Sequence, residues 1–189
     1  MSPRLGVVID QERCLGCESC TVACKIENDP TAGSWLRVEA VAGERKERYP
    51  NLRMDFLPVM CQHCAQPSCQ EACPTGALYQ REDGLVLLDS NKCNGCQACM
   101  SACPYEAIQY SPQKGVVEKC HFCVHRIDQG LEPFCVVCCE GQAMHFGDLD
   151  DPASEVSRLI AARRAVILKP EAGTRPVVYY CPPRQRQRL

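Results

Sequence analysis

The sequence predicts an α+β fold of two similar small modules, each built of short strands and short helices around something other than a large apolar core. Three observations lead there. The chain has 18 Cys in 189 residues, aromatics make up only 6% of it with four Phe and one Trp, and a short strand-and-loop unit occurs twice. A chain of this length folds as one domain or as two small fused ones, and so few large apolar side chains bury too little surface to hold it by packing alone. Cysteine at this density in a short chain means either a disulfide scaffold or extensive metal binding.

The formal net charge of −2 supplies no field that would gather nucleic acid, so no nucleic-acid partner is expected. The basic run from Arg184 to Arg188 reads as a solvated or partner-contacting end. The first apolar stretch is too short for a secretory signal, and no run approaches the roughly 18 apolar residues of a membrane span. The expectation is a soluble or membrane-peripheral prokaryotic chain, either cytoplasmic or exported folded with a signal-bearing partner. Its thiols stay reduced during synthesis, which favours metal ligation over disulfides.

Sixteen of the cysteines fall into four quartets. The first, Cys14, Cys17, Cys20 and Cys24, and the third, Cys93, Cys96, Cys99 and Cys103, have identical spacing. The second is Cys61, Cys64, Cys69 and Cys73. The fourth, Cys120, Cys123, Cys135 and Cys139, has a long loop between its second and third members. The repeat extends beyond the cysteines: Val8-Ile9-Asp10 precedes Cys14 as Leu87-Leu88-Asp89 precedes Cys93, a short strand entering a loop that contains Gly16 or Gly95. After three quartets comes an apolar signature: Ala77-Leu78-Tyr79, Ala107-Ile108 with Tyr110, and Ala143-Met144 with Phe146. Each reads as a helical turn running into a strand. The small Ala fits beneath a metal cluster as well as it fits ordinary core spacing.

Three Cys at i, i+3 and i+6 wrap their thiolates around one face of a compact inorganic core, while the fourth sits on a new element and points elsewhere. In ferredoxins with two 4Fe–4S clusters that fourth Cys ligates the other cluster. Structural zinc draws its ligands from two separated pairs, which would leave the third Cys of each triplet without a role. Gly16 and Gly95 suit a loop that bends round a cluster and brings amides close to sulfur. The second and third quartets lie 19 residues apart, 74–92, and should pair; by exclusion the first and fourth pair. Exchanging the last Cys within each pair gives four ligand sets. They are Cys14, Cys17, Cys20 with Cys139; Cys120, Cys123, Cys135 with Cys24; Cys61, Cys64, Cys69 with Cys103; and Cys93, Cys96, Cys99 with Cys73. All sixteen iron ligands are then Cys, and four complete 4Fe–4S clusters are expected.

The modules follow: residues 1–24 with 111–149 hold two clusters, and 57–110 hold the other two. Residues 25–56 form an insertion in which Trp35 to Val41 alternates like a strand before the Gly43 turn, predicting a β-hairpin. Residues 150–189 comprise a helix and an extended arm for partner contact. The helix runs through Ala153 to Ala162, with Asp151 as its cap and Pro152 in its first turn.

The quartets, the stretch Glu118-Lys119-Cys120 with Phe122, His125, Arg126, Gly130 and Pro133, and the segment Phe146 to Pro152 resemble the iron–sulfur subunits of the dimethyl sulfoxide reductase family of molybdopterin enzymes. The resemblance covers nearly the whole chain. The closing Leu168 to Tyr180 looks most like the small subunits of polysulfide, thiosulfate and respiratory arsenate reductases. The resemblance implies an electron-transfer subunit of an anaerobic respiratory oxidoreductase, not catalytic alone. Its expected partners are a large catalytic subunit with pterin-bound molybdenum or tungsten, and a quinone-reactive membrane subunit or a soluble carrier. Two departures stand out: Glu140 follows Cys139 where the family has Pro, and only 16 residues separate Cys103 from Cys120, where arsenate reductase subunits carry an insertion. Cys138 is then expected to be a buried free thiol and Cys181 a structural or surface one.

His63, His121, His125 and His145 sit beside cysteines but are surplus once sixteen Cys serve four clusters. Lys25, Lys119 and Arg126 could tune cluster potentials or lie on the surface. A stand-alone polyferredoxin-type carrier and an iron–sulfur redox sensor are the alternatives to a complex subunit. A self-contained enzyme is not expected, because the sequence offers neither a glycine-rich nucleotide loop nor a nucleophile constellation.

Overall fold

The computed structural model describes residues 3–41 and 54–183; the expected Gly43 turn and the basic run at Arg184 to Arg188 lie outside them. Strand β1 (Leu5–Asp10) is buried along nearly its whole length, as an unbroken apolar run should be in the middle of a sheet. It pairs antiparallel with β8 (Met144–Asp148) on one side and parallel with β9 (Val178–Cys181) on the other. Gly6 permits the close approach: a Cβ there would lie 2.6 Å from the Val177 carbonyl and 2.5 Å from Leu149.

Helix α1 (Ser19–Asn28) turns Cys20, Ala23 and Cys24 inward, an i, i+4 pattern with one buried stripe. Strands β2 (Arg37–Val41) and β3 (Asp55–Val59) pair antiparallel, with β3 running past residue 56, where the expected hairpin insertion was to end. Three further pieces, helix α2 (Ser68–Glu71) and strands β4 (Leu78–Gln80) and β5 (Val86–Leu88), precede helix α3 (Ala98–Ala102). β4 and β5 make a second hairpin, and β6 (Ile108–Ser111) with β7 (Val116–Lys119) a third. Helices α4 (Val124–Ile127) and α5 (Phe134–Val137) present the fourth quartet, and α6 (Glu155–Arg163) packs behind the sheet of β1. The fold is therefore a small α+β assembly of short elements, as read from the sequence. The apolar signatures after Cys73, Cys103 and Cys139 do run into strands, β4, β6 and β8, with Ala77, Ala107 and Ala143 buried beneath. The β6–β7 hairpin straddles the module boundary expected at 110/111.

Three expectations need correction. The cap of α6 is Ser154, whose side chain accepts from the Ser157 amide; Asp151 is used one turn earlier, accepting the Ala153 amide at 2.8 Å. The closing segment is not wholly an extended arm left for a partner. Its amides and carbonyls bond the loop after Cys61 (Ala65 N to Arg175 O, Gln66 N to Thr174 O, Val177 N to Gln62 O), and β9 completes the sheet because Val178, Tyr180 and Cys181 are apolar enough to be buried there. Cys138, expected to be a buried thiol, is only half-buried at the end of α5, whereas Cys181, expected to be structural or at the surface, is fully buried.

The main core lies between the β1 sheet and the hairpins, and includes Ile9, Leu36, Met60, Leu85, Phe122 and Tyr180. Arg163 ties helix to sheet, its guanidinium donating to Asp10 at 2.6 Å and Glu12 at 3.0 Å. Among the described residues no helix is long and apolar enough to cross a membrane.

Candidate cluster-binding sites

The backbone of the cysteine loops repeats. Gly16 and Gly95 have φ of 67° and 70°, and Glu18 and Gln97, which precede α1 and α3, have 61° and 62°. The second and fourth quartets share a different device, a left-handed residue inside the Cys-x-x-Cys turn: His63 at 41° and Phe122 at 53°. Such conformations are costly for residues with a Cβ and persist where the surroundings over-determine them. In each case the turn bends the chain so that flanking thiols face one side.

These turns gather the cysteines in four groups. Cys14, Cys17, Cys20 and Cys139 line one cavity. Burial and then Cys139 push the Cys20 thiol up to about 12. Burial also raises Cys14, against a hydrogen bond from the Gly16 amide, with Cys139 and Cys17 adding to the rise. The Ala143 amide donates to Cys139 Sγ at 3.1 Å. Cys17 lies at the surface, and the Ser19 hydroxyl and amide lower its pKa.

The second group, Cys24, Cys120, Cys123 and Cys135, lines a cavity shared with Trp35 and Phe122. Burial drives Cys120 and Cys135 far above the ordinary thiol range, reinforced for Cys120 by Cys61, Cys135 and Cys24, and for Cys135 by Cys123, Cys24 and Cys20. Asn28 Nδ2 lies 3.5 Å from Cys123 Sγ and 3.9 Å from Cys24 Sγ.

The third group is Cys61, Cys64, Cys69 and Cys103. Burial and then Cys61 push Cys69 up to about 12, with Cys103 and Cys64 adding and Lys119 opposing; Cys64 is pushed to about 11 by burial, moderated by Thr174. The fourth, Cys73, Cys93, Cys96 and Cys99, lines another cavity. Burial and then Cys73 raise Cys99 to about 11, whereas amides of Leu78, Thr75 and Ala77 and the Thr75 hydroxyl overcome the burial of Cys73 and lower it.

The structure thus brings each last cysteine to the triplet of its paired quartet: Cys139 to Cys14, Cys24 to Cys120, Cys103 to Cys61 and Cys73 to Cys93. The groups adjoin in series. Cys20 touches the field of Cys135, Cys120 that of Cys61, and Cys69 and Cys103 pack in one cluster with Cys73, Cys93 and Cys99.

The donor chemistry discriminates between metals. Among the described residues no three His, Cys, Asp or Glu converge closely enough for a single ion. Instead, four thiols surround each space. Thiols crowded in burial resist ionisation unless a cation accepts their charge, and coordination deprotonates a thiol outright. An all-sulfur set of four suits zinc or an iron–sulfur cluster, and Cys triplets completed by a Cys from another quartet suit the cluster.

The remaining candidates divide. His125 bonds Glu27 at 2.8 Å and His145 lies 3.0 Å from Glu155, so both are engaged by carboxylates. His121 packs edge-on to Trp35, and burial lowers its pKa to about 4. Lys119 is buried with its ammonium on the carbonyls of Val86 and Cys120, Arg126 spans Glu27 and the Glu132 carbonyl, and Lys25 is exposed. Sequence reading missed Asn28 and Thr174. Asn28 was findable, one helical turn beyond Cys24; Thr174 reaches Cys64 from a distant segment and leaves no local signal.

Comparison with known proteins places these sites in context. Residues 52–149 match the family described as the 4Fe-4S dicluster domain. The protein is 41% identical to a subunit of tetrathionate reductase from Salmonella typhimurium, over 94% of its own length and 72% of that relative. It is 36% identical to a component of the anaerobic dimethyl sulfoxide reductase of Escherichia coli over 93% of both, and 35% identical to the iron–sulfur subunit of the arsenate respiratory reductase of a Shewanella species, over 94% and 95%.

Proposed function

The protein belongs to the 4Fe-4S dicluster subunits of the dimethyl sulfoxide reductase family of molybdopterin oxidoreductases, and on that premise we propose that it relays single electrons through four sites in series, serving a separate catalytic subunit. One observation carries the reading: the four cysteine groups adjoin one after another, and the two terminal groups each present one exposed thiol, Cys17 and Cys96. The two inner groups are deeper, with Cys24, Cys61, Cys123 and Cys135 all buried.

The sixteen cysteines hold four 4Fe–4S clusters in the crossed sets described above. Bound there, the clusters supply one-electron redox chemistry across a wide range of potentials. The chain's own residues do the rest. Amides of Gly16, Phe122 and Ala143 donate to sulfur and stabilise its charge. Phe122, Leu36 and Met60 exclude water from the inner spaces. The Cys14 and Cys120 groups form one ferredoxin-like module from residues 1–24 and 111–149, and the Cys61 and Cys93 groups a second from 57–110, related by pseudo-symmetry. One end faces the large molybdenum or tungsten pterin subunit, and the other faces a quinone-reactive membrane subunit or a soluble carrier.

The test is iron, acid-labile sulfide and zinc per chain on anaerobically purified protein, followed by capture of a pterin-containing partner. About 16 irons with equal sulfide are expected. Stoichiometric zinc with little sulfide overturns the relay.

A further inference from the structure

Asn28 is the last residue of helix α1, one turn beyond Cys24, and it lines the same cavity as Cys24, Cys120, Cys123 and Cys135. Three acceptors surround its side-chain nitrogen. Nδ2 donates to the Cys24 carbonyl at 3.2 Å, lies 3.5 Å from Cys123 Sγ and lies 3.9 Å from Cys24 Sγ. The two sulfurs come from different quartets, the first and the fourth. A single amide group therefore sits against two of the four thiols of one site.

The surroundings decide which way the amide points. A carbonyl oxygen and two ligand sulfurs all accept, and the two N–H groups of the amide are the donors that suit them. Oδ1 is buried and has no hydrogen-bond partner among the described residues. Turning the amide over would set that oxygen against three acceptors. The end of the helix does not depend on this side chain, since the Asp29 amide already bonds the Lys25 carbonyl at 3.0 Å. Nor does the equivalent loop repeat it. Four residues beyond Cys103, the counterpart of Cys24, stands Ala107, which has no side-chain donor, and Pro104 follows directly after the end of α3. The Cys61 site receives a hydroxyl on Cys64 instead, from Thr174.

We propose that Asn28 is a tuning donor: its side-chain amide bonds the sulfur of Cys123, with that of Cys24 beside it, and so raises the reduction potential of the Cys24, Cys120, Cys123 and Cys135 site. The proposal rests on the crossed cysteine sets of the preceding section. Hydrogen bonds to the sulfurs are among the factors that set cluster potentials. Reduction adds negative charge to the sulfurs, and a donor bonds a more negative acceptor more strongly, so the donor favours the reduced state. Asn28 thereby sets the second site of the series apart from its neighbours.

Two variants separate the donor from the space it fills. Asn28→Leu keeps a side chain of similar size and deletes both N–H groups; Asn28→Gln keeps the amide on one more methylene. Full-length protein of each is loaded anaerobically, its iron and sulfide counted, and its midpoints measured by redox titration followed by electron paramagnetic resonance. At equal iron, Asn28→Leu is expected to lower one midpoint by about tenfold in the reduction equilibrium, about 59 mV for one electron. Asn28→Gln should stay nearer the wild type, and the shifted signal should be the one that Cys135→Ala removes. Unshifted midpoints, as a purely structural side chain would give, or an equal fall in both variants, overturn the tuning role. A shift in the signal that Cys61→Ala removes overturns the assignment to the Cys120 site. A wild-type count far from 16 irons overturns the underlying cysteine reading and the proposal with it. Should Asn28→Leu fail to load, wild-type protein made with asparagine carrying nitrogen-15 in its side-chain amide decides. A labelled nitrogen coupled to the signal that Cys135→Ala removes supports the donor, and none overturns it; Asn91 and Asn94 flank Cys93 and belong to a different signal.

Discussion

The loop from Cys14 to Cys24 and the loop from Cys93 to Cys103 are the same device with different surroundings. Spacing, glycine position and left-handed residues coincide. Their outer faces do not. Around Cys17 the chain exposes Leu15, Val22 and Ile26 at 62%, 53% and 72%, while Asn94 and Ser101 stand where Leu15 and Val22 do, and Tyr105, in the place of Ile26, is buried. After Cys24 the helix continues to Asn28; after Cys103, Pro104 lacks the amide that another turn needs, and the chain leaves for β6. The side that gathers thiols is constrained by backbone geometry. The side that faces outward is free to suit whatever docks there, and an apolar face differs from a polar one in the partner it suits.

The largest effect that would break this equivalence comes from the fourth cysteines. Cys24→Ala is expected to cost the Cys120 site rather than the Cys14 site, taking iron from about 16 to about 12 per chain. Its missing resonance should match that of Cys135→Ala, and Cys139→Ala should match Cys20→Ala. Resonances that pair within quartets instead would break the crossing.

Next come the two glycines. A methyl on Gly95 would lie 2.5 Å from the Gly115 carbonyl, fixed backbone, whereas one on Gly16 would meet the edge of the Phe56 ring at 2.5 Å. Both substitutions incur the left-handed penalty of about 1–2 kcal/mol, but a ring can swing aside. Gly95→Ala should therefore bleach the visible cluster absorbance at a lower temperature than Gly16→Ala.

A third prediction concerns the link from α1 to the opposite end. Burial raises the Glu118 carboxyl, but hydrogen bonds from Lys114, the Ala32 amide and Thr31 outweigh it and hold the group below the usual carboxylate range. A depressed folded pKa means stability present above the unfolded pKa and lost as pH falls through the folded one. Glu118→Gln should cost about 1–3 kcal/mol near neutrality and flatten the dependence of cluster-loss rate on pH in the acid range.

The smallest effect tests the outer faces. Leu15→Asn with Val22→Ser copies the polar end onto the apolar one. These exposed changes should leave iron content intact and stability within about 0.5 kcal/mol, while reducing co-purification of the partner that docks beside Cys17.

Cysteine spacing made the four groups legible because a loop around a cluster is a local object: ligands three residues apart, a glycine between them, a strand before. Strand β2 was legible for the same reason, in the alternation from Trp35 to Val41; its partner β3 lies largely past the expected bounds. The cap of α6 was misread by three residues because Asp151 and Ser154 are equally good acceptors, and only the fold assigns Asp151 to the preceding turn. For Cys181 the sequence left a structural and a surface place both open, and β9 puts it under α6.

The amino-acid sequence alone determined which residues are thiols and how the triplets are spaced, since ligand type and short-range reach are properties of the chain. Only the tertiary structure decided that Thr174 reaches Cys64, that Glu118 anchors Thr31, that β9 lies parallel to β1, and that His63 stacks on Phe122. Those contacts join segments tens of residues apart, and they form only where the packing of all the elements lets buried polar groups find a partner.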